Sequence, residues 1–341
     1  MKIKKRVGVV MGLLALFTVT LCVTGSVIMA QAATEEPQEE YVWIACLATL
    51  PLFVAHDYPA LRQEAERLGV QITFAGPADM NIELENNILE QTIARKPAGI
   101  IFMPFSPSSA PIINKALAEG IPIVCVDGDC PESNRLAFIG TGWYDLGATQ
   151  AKIMGKMLNG KGKVMLSAVI PNNNTDLAVA GYKDYMAKHH PDIEILGVNN
   201  DEADIAKAAQ LARATIVAYP DIAGFSGIDA SSGPGIATAV KEAGRVGDIK
   251  ITCVDDTPDI LQAVQEEVIQ ATVVQKREAF ETWALRVVYF YNHPGYSIGE
   301  AFKDVGFNMI PNFITTGTMV VTKDNLDALK EAHEFEKQFV K

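Results

Sequence analysis

Carboxylates follow two short and closely similar apolar runs in the chain. The first run ends in Cys-Val-Asp at residues 125–127, and the second ends in the same three residues at 253–255. Each run is preceded by another apolar run and by a helical pattern that ends near a glycine. A repeated strand–helix–strand unit that ends in an acid predicts two similar α/β lobes. We expect Asp127 and Asp255 to face one another across a cleft, because ligands of open parallel sheets bind at the carboxyl ends of the strands.

Other polar and aromatic side chains follow predicted strands and are candidate ligand-binding residues. A carboxylate accepts two hydrogen bonds and can therefore clasp neighbouring hydroxyl groups, and a glutamine side chain both donates and accepts. Aromatic rings can cover the apolar face of a sugar and exclude water. The polar candidates are His56, Asp129, Asn174, Asp176, Asp229 and Gln275, and the aromatic ones are Phe53, Phe105 and Trp143.

Every candidate also has a purely structural interpretation. An aspartate at a strand end often caps the next helix, and we interpret Asp57 and Asp256 in this way. Phe53 and Phe105 can equally belong to a core, and Trp143 can pack a hinge. A solvated loop position is the ordinary expectation for His56.

Apolar runs of strand length alternate with helical patterns along the chain. This alternation predicts α/β lobes with parallel sheets and right-handed crossovers. The 341 residues, 49% of them hydrophobic, are enough for two such lobes. Late strands are predicted at 302–309 and 317–321, followed by a closing helix at 324–335.

The N-terminus has the pattern of an export signal. Lysines and an arginine precede an apolar run at 7–30, and Ala-Gln-Ala at 30–32 predicts cleavage near Ala32. Residues 33–40 then form an acidic leader, and we expect a soluble periplasmic product; an uncleaved anchor is the alternative. The formal net charge of −12 argues against a nucleic acid or an anionic membrane as partner.

The sequence offers little support for covalent, metal or cofactor chemistry. No Cys-x-x-Cys or histidine-rich spacing indicates a metal site, and no serine hydrolase, zinc protease or P-loop motif is present, so we expect neither a cofactor nor an enzyme. A pair of facing carboxylates leaves a glycosidase open as a minor alternative. Cys46, Cys125 and Cys253 read as buried thiols, and a Cys125–Cys130 disulfide remains open.

Seven short segments, in this order and spacing, resemble type I periplasmic binding proteins of ABC importers, especially the ribose-binding group. They lie at residues 51–53, 64–69, 120–123, 139–141, 181–182, 254–259 and 271–275. The resemblance implies two Rossmann-like lobes joined by three crossovers, near residues 141–144, 274–276 and 308–315. The N-terminal lobe would comprise residues 41–142 and 276–310, and the C-terminal lobe residues 143–275 and 311–341. It also implies ligand contacts at Phe53, Asp127, Asp255 and Gln275.

The chain departs from the ribose-binding pattern at several pocket positions. Asp176 stands about where the family usually carries a ligand-binding arginine, and Asp229 lies beside the position of a family asparagine. We therefore expect an acid-rich, arginine-poor pocket for a ligand other than ribose. Such a lining disfavours a sugar acid or a phosphate.

The resulting hypothesis is an exported, monomeric protein that closes around a monosaccharide or sugar alcohol and delivers it to the permease of an ABC importer. A signal-sensing receptor for chemotaxis or quorum sensing, with a chemoreceptor or kinase as partner, would have the same sequence features. A cationic or amine-bearing ligand becomes an alternative if Asp176 and Asp229 both point inward.

Overall fold

The computed structural model describes residues 38–293 and 310–337, which form two α/β lobes. Each lobe contains a six-stranded sheet. The predicted signal peptide at 1–32 and the predicted strand at 302–309 lie outside the described residues. Within the described ranges, no helix is long and apolar enough to cross a membrane.

The first sheet has its strands in the order β2-β1-β3-β4-β5-β11, all of them parallel. The strands are β1 Glu40–Ala45, β2 Gln71–Ala75, β3 Gly99–Met103, β4 Ile123–Val126, β5 Phe138–Gly140 and β11 Phe313–Thr315. The strands β3 and β4 are buried throughout, as expected of strands that are covered on both faces by helices. Their continuous apolar sequences follow from this burial.

The second sheet has the order β7-β6-β8-β9-β10-β12, in which only the edge strand β12 is antiparallel. Its strands are β6 Lys161–Ala168, β7 Asp192–Asn200, β8 Ile222–Gly227, β9 Lys250–Val254, β10 Ala271–Gln275 and β12 Thr318–Val321. The predicted fold of two α/β lobes with parallel sheets is confirmed.

Helices cover both faces of each sheet. In chain order they are α1 Tyr58–Leu68, α2 Ile82–Arg95, α3 Ala110–Ala118, α4 Trp143–Met157, α5 Asn173–His189, α6 Ile205–Ala218, α7 Ser232–Glu242, α8 Pro258–Gln265, α9 Arg277–Asn292 and α10 Leu326–Lys337. A short π-helical turn, Phe53–Asp57, leads directly into α1. Four apolar clusters, one on each face of each sheet, form the core.

Three short segments connect the lobes. They lie between β5 and α4, between β10 and α9, and between β11 and β12. Because β11 pairs with β5, residues 313–315 belong to the first lobe, and the third connection follows them. The expected start of the C-terminal segment at residue 311 is therefore a few residues too early.

One local expectation differs from the structure. Asp57 does not cap α1, because the chain is already helical before it and its carboxylate is bonded to Arg277. The expectation of buried thiols at Cys46, Cys125 and Cys253 is confirmed. Cys130 is also a buried free thiol, so no disulfide joins it to Cys125.

Candidate functional site

A cavity of about 80 Å³ lies where the carboxyl ends of the two sheets meet. Both lobes and the connection between β10 and α9 contribute to its wall. Its polar lining includes Asp127, Asn172, Asn174, Thr175, Asp229, Ser231, Asp255, Gln275 and Arg277, and its aromatic lining consists of Phe53, Phe105 and Trp143. This volume leaves room only for a small molecule, since pockets for drug-sized ligands are several hundred Å³ in size.

The twin aspartates have the same unusual backbone conformation. Asp127 has a φ of 59° and Asp255 a φ of 70°, the left-handed region that aspartate tolerates better than most residues. Each therefore turns the chain sharply at the end of its strand. Gly128 is the next residue in the first turn. The position requires glycine, because a Cβ there would lie 2.1 Å from the carbonyl oxygen of Pro104. The repeat in sequence thus corresponds to a repeat in backbone geometry.

Arg277 joins Asp127 to a second buried carboxylate. Its Nη1 donates to Oδ2 of Asp127 at 2.9 Å, and its Nε and Nη2 donate to the two carboxylate oxygens of Asp57 at 2.9 and 3.0 Å. The guanidinium carbon lies 4.8 Å from the ring centroid of Phe53 and 5.1 Å from that of Phe280. This bidentate pairing and the flanking rings hold the guanidinium in one orientation.

Asp255 is paired with Gln275 on the other side of the cavity. The Nε2 of Gln275 donates to Oδ1 of Asp255 at 3.0 Å. Burial raises the pKa of Asp255 to about 7, although Arg277 and the hydrogen bond from Gln275 act in the opposite direction. A carboxyl in this state can act as donor or acceptor near neutral pH.

Two residues of the cavity wall carry a buried polar atom that has no hydrogen-bond partner among the described residues. The atoms are Oδ1 of Asp127 and Oε1 of Gln275. Leaving such atoms unpaired in a folded protein costs about 1–3 kcal/mol each. Both are acceptors, so a bound molecule whose donor groups reached them would remove this cost.

Asp229 lines the cavity, but the chain already uses its carboxylate. The Oδ1 accepts from the backbone N–H groups of Ser231 and Ser232, and Oδ2 accepts from the hydroxyl of Ser232 at 2.7 Å. Burial raises its pKa to about 7, and the neighbouring carboxylate of Asp201 adds to the effect. Its main role is therefore to cap α7, which is the structural alternative considered for every such aspartate.

The aromatic candidates form the apolar part of the wall. Phe53 and Trp143 are almost completely buried, and Phe105 is half-buried. The indole Nε1 of Trp143 donates to the backbone oxygen of Asp127 at 3.0 Å, which ties the start of α4 to the first lobe. Asn174, in the first turn of α5, is also buried at the cavity wall.

Three predicted site residues lie outside the cavity wall. Asp129 is bonded to the guanidinium of Arg135. Asp176 is exposed and accepts from the backbone N–H of Asn172. His56 lies in a separate cavity beside the cleft. The expected lining also lacked an arginine, but Arg277 supplies a guanidinium to the cavity wall. It comes from a different part of the chain than Asp176, which stands about where the family usually carries its ligand-binding arginine.

Sequence reasoning did not identify Arg277 or Asp57 as parts of the site. Arg277 follows the candidate Gln275 by two residues and therefore lies next to the predicted crossover at residues 274–276. Asp57 resembled a helix cap because Pro59 follows it. Only the packing of α9 against the first lobe brings the two side chains together.

The comparisons with known proteins agree with this geometry. The model of the periplasmic binding protein domain matches residues 46–292. The chain belongs to this family. A curated relative, the D-ribose/D-allose-binding protein of Pseudomonas aeruginosa, is 26% identical over 196 residues, which cover 55% of this chain and 61% of the relative's length.

Solved structures of solute-binding proteins share the fold of this periplasmic binding protein. A sugar-binding protein of an ABC transporter from Bacillus halodurans has a TM-score of 0.78 at 28% identity, covering 85% of this chain and 99% of that one. A solute-binding protein from Burkholderia graminis, in complex with D-arabinose, has a TM-score of 0.78 at 26% identity, covering 86% and 98%. The resemblance noted in the sequence is confirmed.

Proposed function

We propose that this periplasmic binding protein captures one monosaccharide or sugar alcohol between its lobes and presents it to an ABC importer. The observation that carries the proposal is the pair of unpaired buried acceptors, Oδ1 of Asp127 and Oε1 of Gln275, in a cavity walled by three aromatic rings. Hydroxyl groups would donate to these acceptors, and the rings would cover the apolar face of the sugar.

The relatives support the same class of ligand. They are described as binding D-ribose, D-allose or D-arabinose. These sugars differ in the number and orientation of their hydroxyl groups, and the cavity of about 80 Å³ favours one ring over a disaccharide. An anionic ligand is disfavoured, since the guanidinium of Arg277 is already paired with two carboxylates, those of Asp57 and Asp127.

The alternative of a cationic ligand receives less support. It required Asp176 and Asp229 to point inward together, but Asp176 is exposed and Asp229 caps α7.

The mode of action follows from the family. An exported protein, cleaved near Ala32 and acting as a monomer, would close around the sugar, and the closed form would be recognised by the permease. Binding without chemical conversion is sufficient for this role. A chemoreceptor is a further partner that would read the same closed form.

Isothermal titration calorimetry with a panel of pentoses, hexoses and polyols tests the proposal. Asp255→Asn keeps the size of the side chain but removes its charge and one acceptor. We expect it to weaken binding of the preferred sugar by about 10- to 100-fold, the cost of a lost hydrogen bond to a charged group. Unchanged affinity would exclude Asp255 from the site, and a wild-type protein that binds no member of the panel would contradict the proposed ligand class.

Asp176→Asn is a matched control, because it makes the same chemical change outside the cavity. Its affinity should equal that of the wild type. Aryl glycosides incubated with the protein should remain intact, whereas their hydrolysis would favour the glycosidase alternative.

A further inference from the structure

A second cavity, of about 590 Å³, lies beside the cleft and is lined by both lobes. Four ionisable side chains meet in its wall. His56, in the π-helical turn, and Glu278, in the first turn of α9, belong to the first lobe. Asp256, two residues after the end of β9, and His333, on α10, belong to the second lobe. The proposed sugar-binding function uses none of these groups.

The two imidazoles face one carboxylate. The Nε2 of His56 lies 3.5 Å from Oδ1 of Asp256, and the Nε2 of His333 lies 3.4 Å from Oδ2 of the same group. The rings are 5.5 Å apart, measured between their centroids. Asp256 is only 7% exposed, and its carboxylate lies between the two histidines.

Glu278 fixes the orientation of His56. Its Oε1 lies 2.6 Å from Nδ1 of the imidazole, which leaves Nε2 directed at Asp256. Burial alone would lower the pKa of His56, but Glu278 and Asp256 outweigh it and raise the pKa to about 8. In zinc proteins a carboxylate outside the ligand set commonly orients a ligating histidine, and Asp256 lies against both imidazoles in a position to do so.

Three of the four side chains can reach one metal ion. Among the described residues, His56, Glu278 and His333 offer one ligand atom each within 4.8 Å of one another. Zinc binds histidine nitrogen and carboxylate oxygen at about 2.0–2.2 Å, which places neighbouring ligand atoms roughly 3.3–3.5 Å apart, so small side-chain movements would complete the site. Two imidazoles favour zinc over magnesium or calcium, which prefer oxygen ligands.

We propose that His56, Glu278 and His333 form a zinc-type metal site that bridges the two lobes, with Asp256 orienting both imidazoles. The cavity leaves the remaining coordination position open to water. Since the ligands come from both lobes, a bound metal stabilises the closed arrangement. If the cleft binds a sugar as proposed above, metal and sugar must then increase each other's affinity by the same factor.

Metal binding can be measured without any sugar. The protein, produced without a polyhistidine tag and freed of metal, is titrated with Zn²⁺ in the presence of a chromophoric chelator at a fixed, mildly alkaline pH, because the imidazoles bind the metal in their deprotonated form. We expect one Zn²⁺ per chain. His333→Gln should weaken binding more than about 100-fold, since even a group that only orients a ligand contributes roughly 10- to 100-fold. Asp256→Asn should fall in that smaller range.

His189→Gln is the matched control. His189 packs against the ring of Tyr185 at the end of α5, outside the cluster. Circular dichroism verifies that each variant is folded. A wild type that binds no Zn²⁺, or a His333→Gln variant that binds it as tightly as the wild type, would overturn the proposal.

The bridging role has a separate readout. Small-angle scattering should show that Zn²⁺ alone makes the wild type more compact and leaves His333→Gln unchanged. Zinc that binds through His333 without any compaction would overturn the bridge. Zinc binding and compaction in a protein that binds no sugar would support the metal site and contradict only the proposed sugar-binding function.

Discussion

At the scale of single residues, the charge balance of the cleft depends on Arg277. Its guanidinium is almost fully buried and pairs with two carboxylates, Asp57 and Asp127. Desolvating three charges is costly, and the bidentate geometry with Asp57 offsets that cost. The other oxygen of Asp127 has no hydrogen-bond partner among the described residues. Arg277 therefore fixes the orientation of Asp127, which we propose as a ligand-binding residue, as well as stabilising the fold.

Replacing Arg277 by methionine should destabilise the protein strongly. The change leaves two buried carboxylates without their cation, and removal of one partner from a buried pair costs about 3–5 kcal/mol. Urea denaturation followed by circular dichroism measures the free energy of unfolding. Arg213→Met is the control, because the Arg213–Glu242 pair is about half-exposed and worth less than about 1 kcal/mol. Equal losses in the two variants would contradict the role assigned to Arg277.

At the scale of elements, the helix pair α4 and α5 carries part of the cavity wall. Trp143 starts α4, and Asn174 lies in the first turn of α5. The helices approach closely through two glycines. A Cβ at Gly147 would lie 1.8 Å from the carbonyl oxygen of Ala178, and one at Gly181 would lie 2.0 Å from that of Tyr144. Backbone atoms cannot yield as a flexible side chain can, so both positions require glycine.

Gly181→Ala should push α4 and α5 apart. We expect a loss of stability of about 1–3 kcal/mol, the usual cost of overpacking, together with weaker sugar binding because both helices begin at the cavity. Thermal unfolding and calorimetry measure the two effects. Gly142→Ala is the control, since its new methyl group would have its nearest neighbour at 3.4 Å. A fully stable Gly181→Ala protein would refute this account of the helix contact.

At the scale of the whole molecule, direct contacts between the lobes hold the cleft closed. The Nδ2 of Asn173, at the start of α5, donates to the backbone oxygen of Asp129 in the first lobe at 3.1 Å. Neither Asn173 nor Asp129 lines the cavity at the carboxyl ends of the two sheets. Such a contact exists only when the lobes are together, so it affects ligand affinity through the open–closed equilibrium.

Asn173→Ala should therefore weaken sugar binding without removing a ligand contact. One hydrogen bond of about 0.5–1.5 kcal/mol corresponds to roughly 2- to 10-fold in affinity, and faster dissociation should account for most of it. Stopped-flow tryptophan fluorescence measures both rate constants. Asn114→Ala is the matched control, because Asn114 accepts a hydrogen bond from Asn134 within the first lobe. Identical dissociation rates for the two variants would show that the Asn173 contact does not stabilise the closed form.

The fold class and the twin acids of the cleft can be predicted from the amino-acid sequence. Alternating apolar runs and helical patterns specify parallel sheets covered by helices, since burial on both faces imposes that pattern locally. The repeated Cys-Val-Asp placed Asp127 and Asp255 at equivalent strand ends, and both line the cavity. Proximity to a strand end also selected Asp129 and Asp176, which lie outside the cavity wall. Their carboxylates are hydrogen-bonded to Arg135 and to the backbone N–H of Asn172, and the sequence gives no sign of these partners.

Side chains that are far apart in sequence and in contact in the fold could not be predicted in this way. Arg277 reaches Asp57 across 220 positions of sequence, and His333 reaches Asp256 only because α10 returns to the second lobe. Contacts of this kind depend on how the helices and strands pack against one another, and no local sequence pattern predicts them. The charge of the sugar cavity and the histidine cluster beside it are therefore properties of the folded chain.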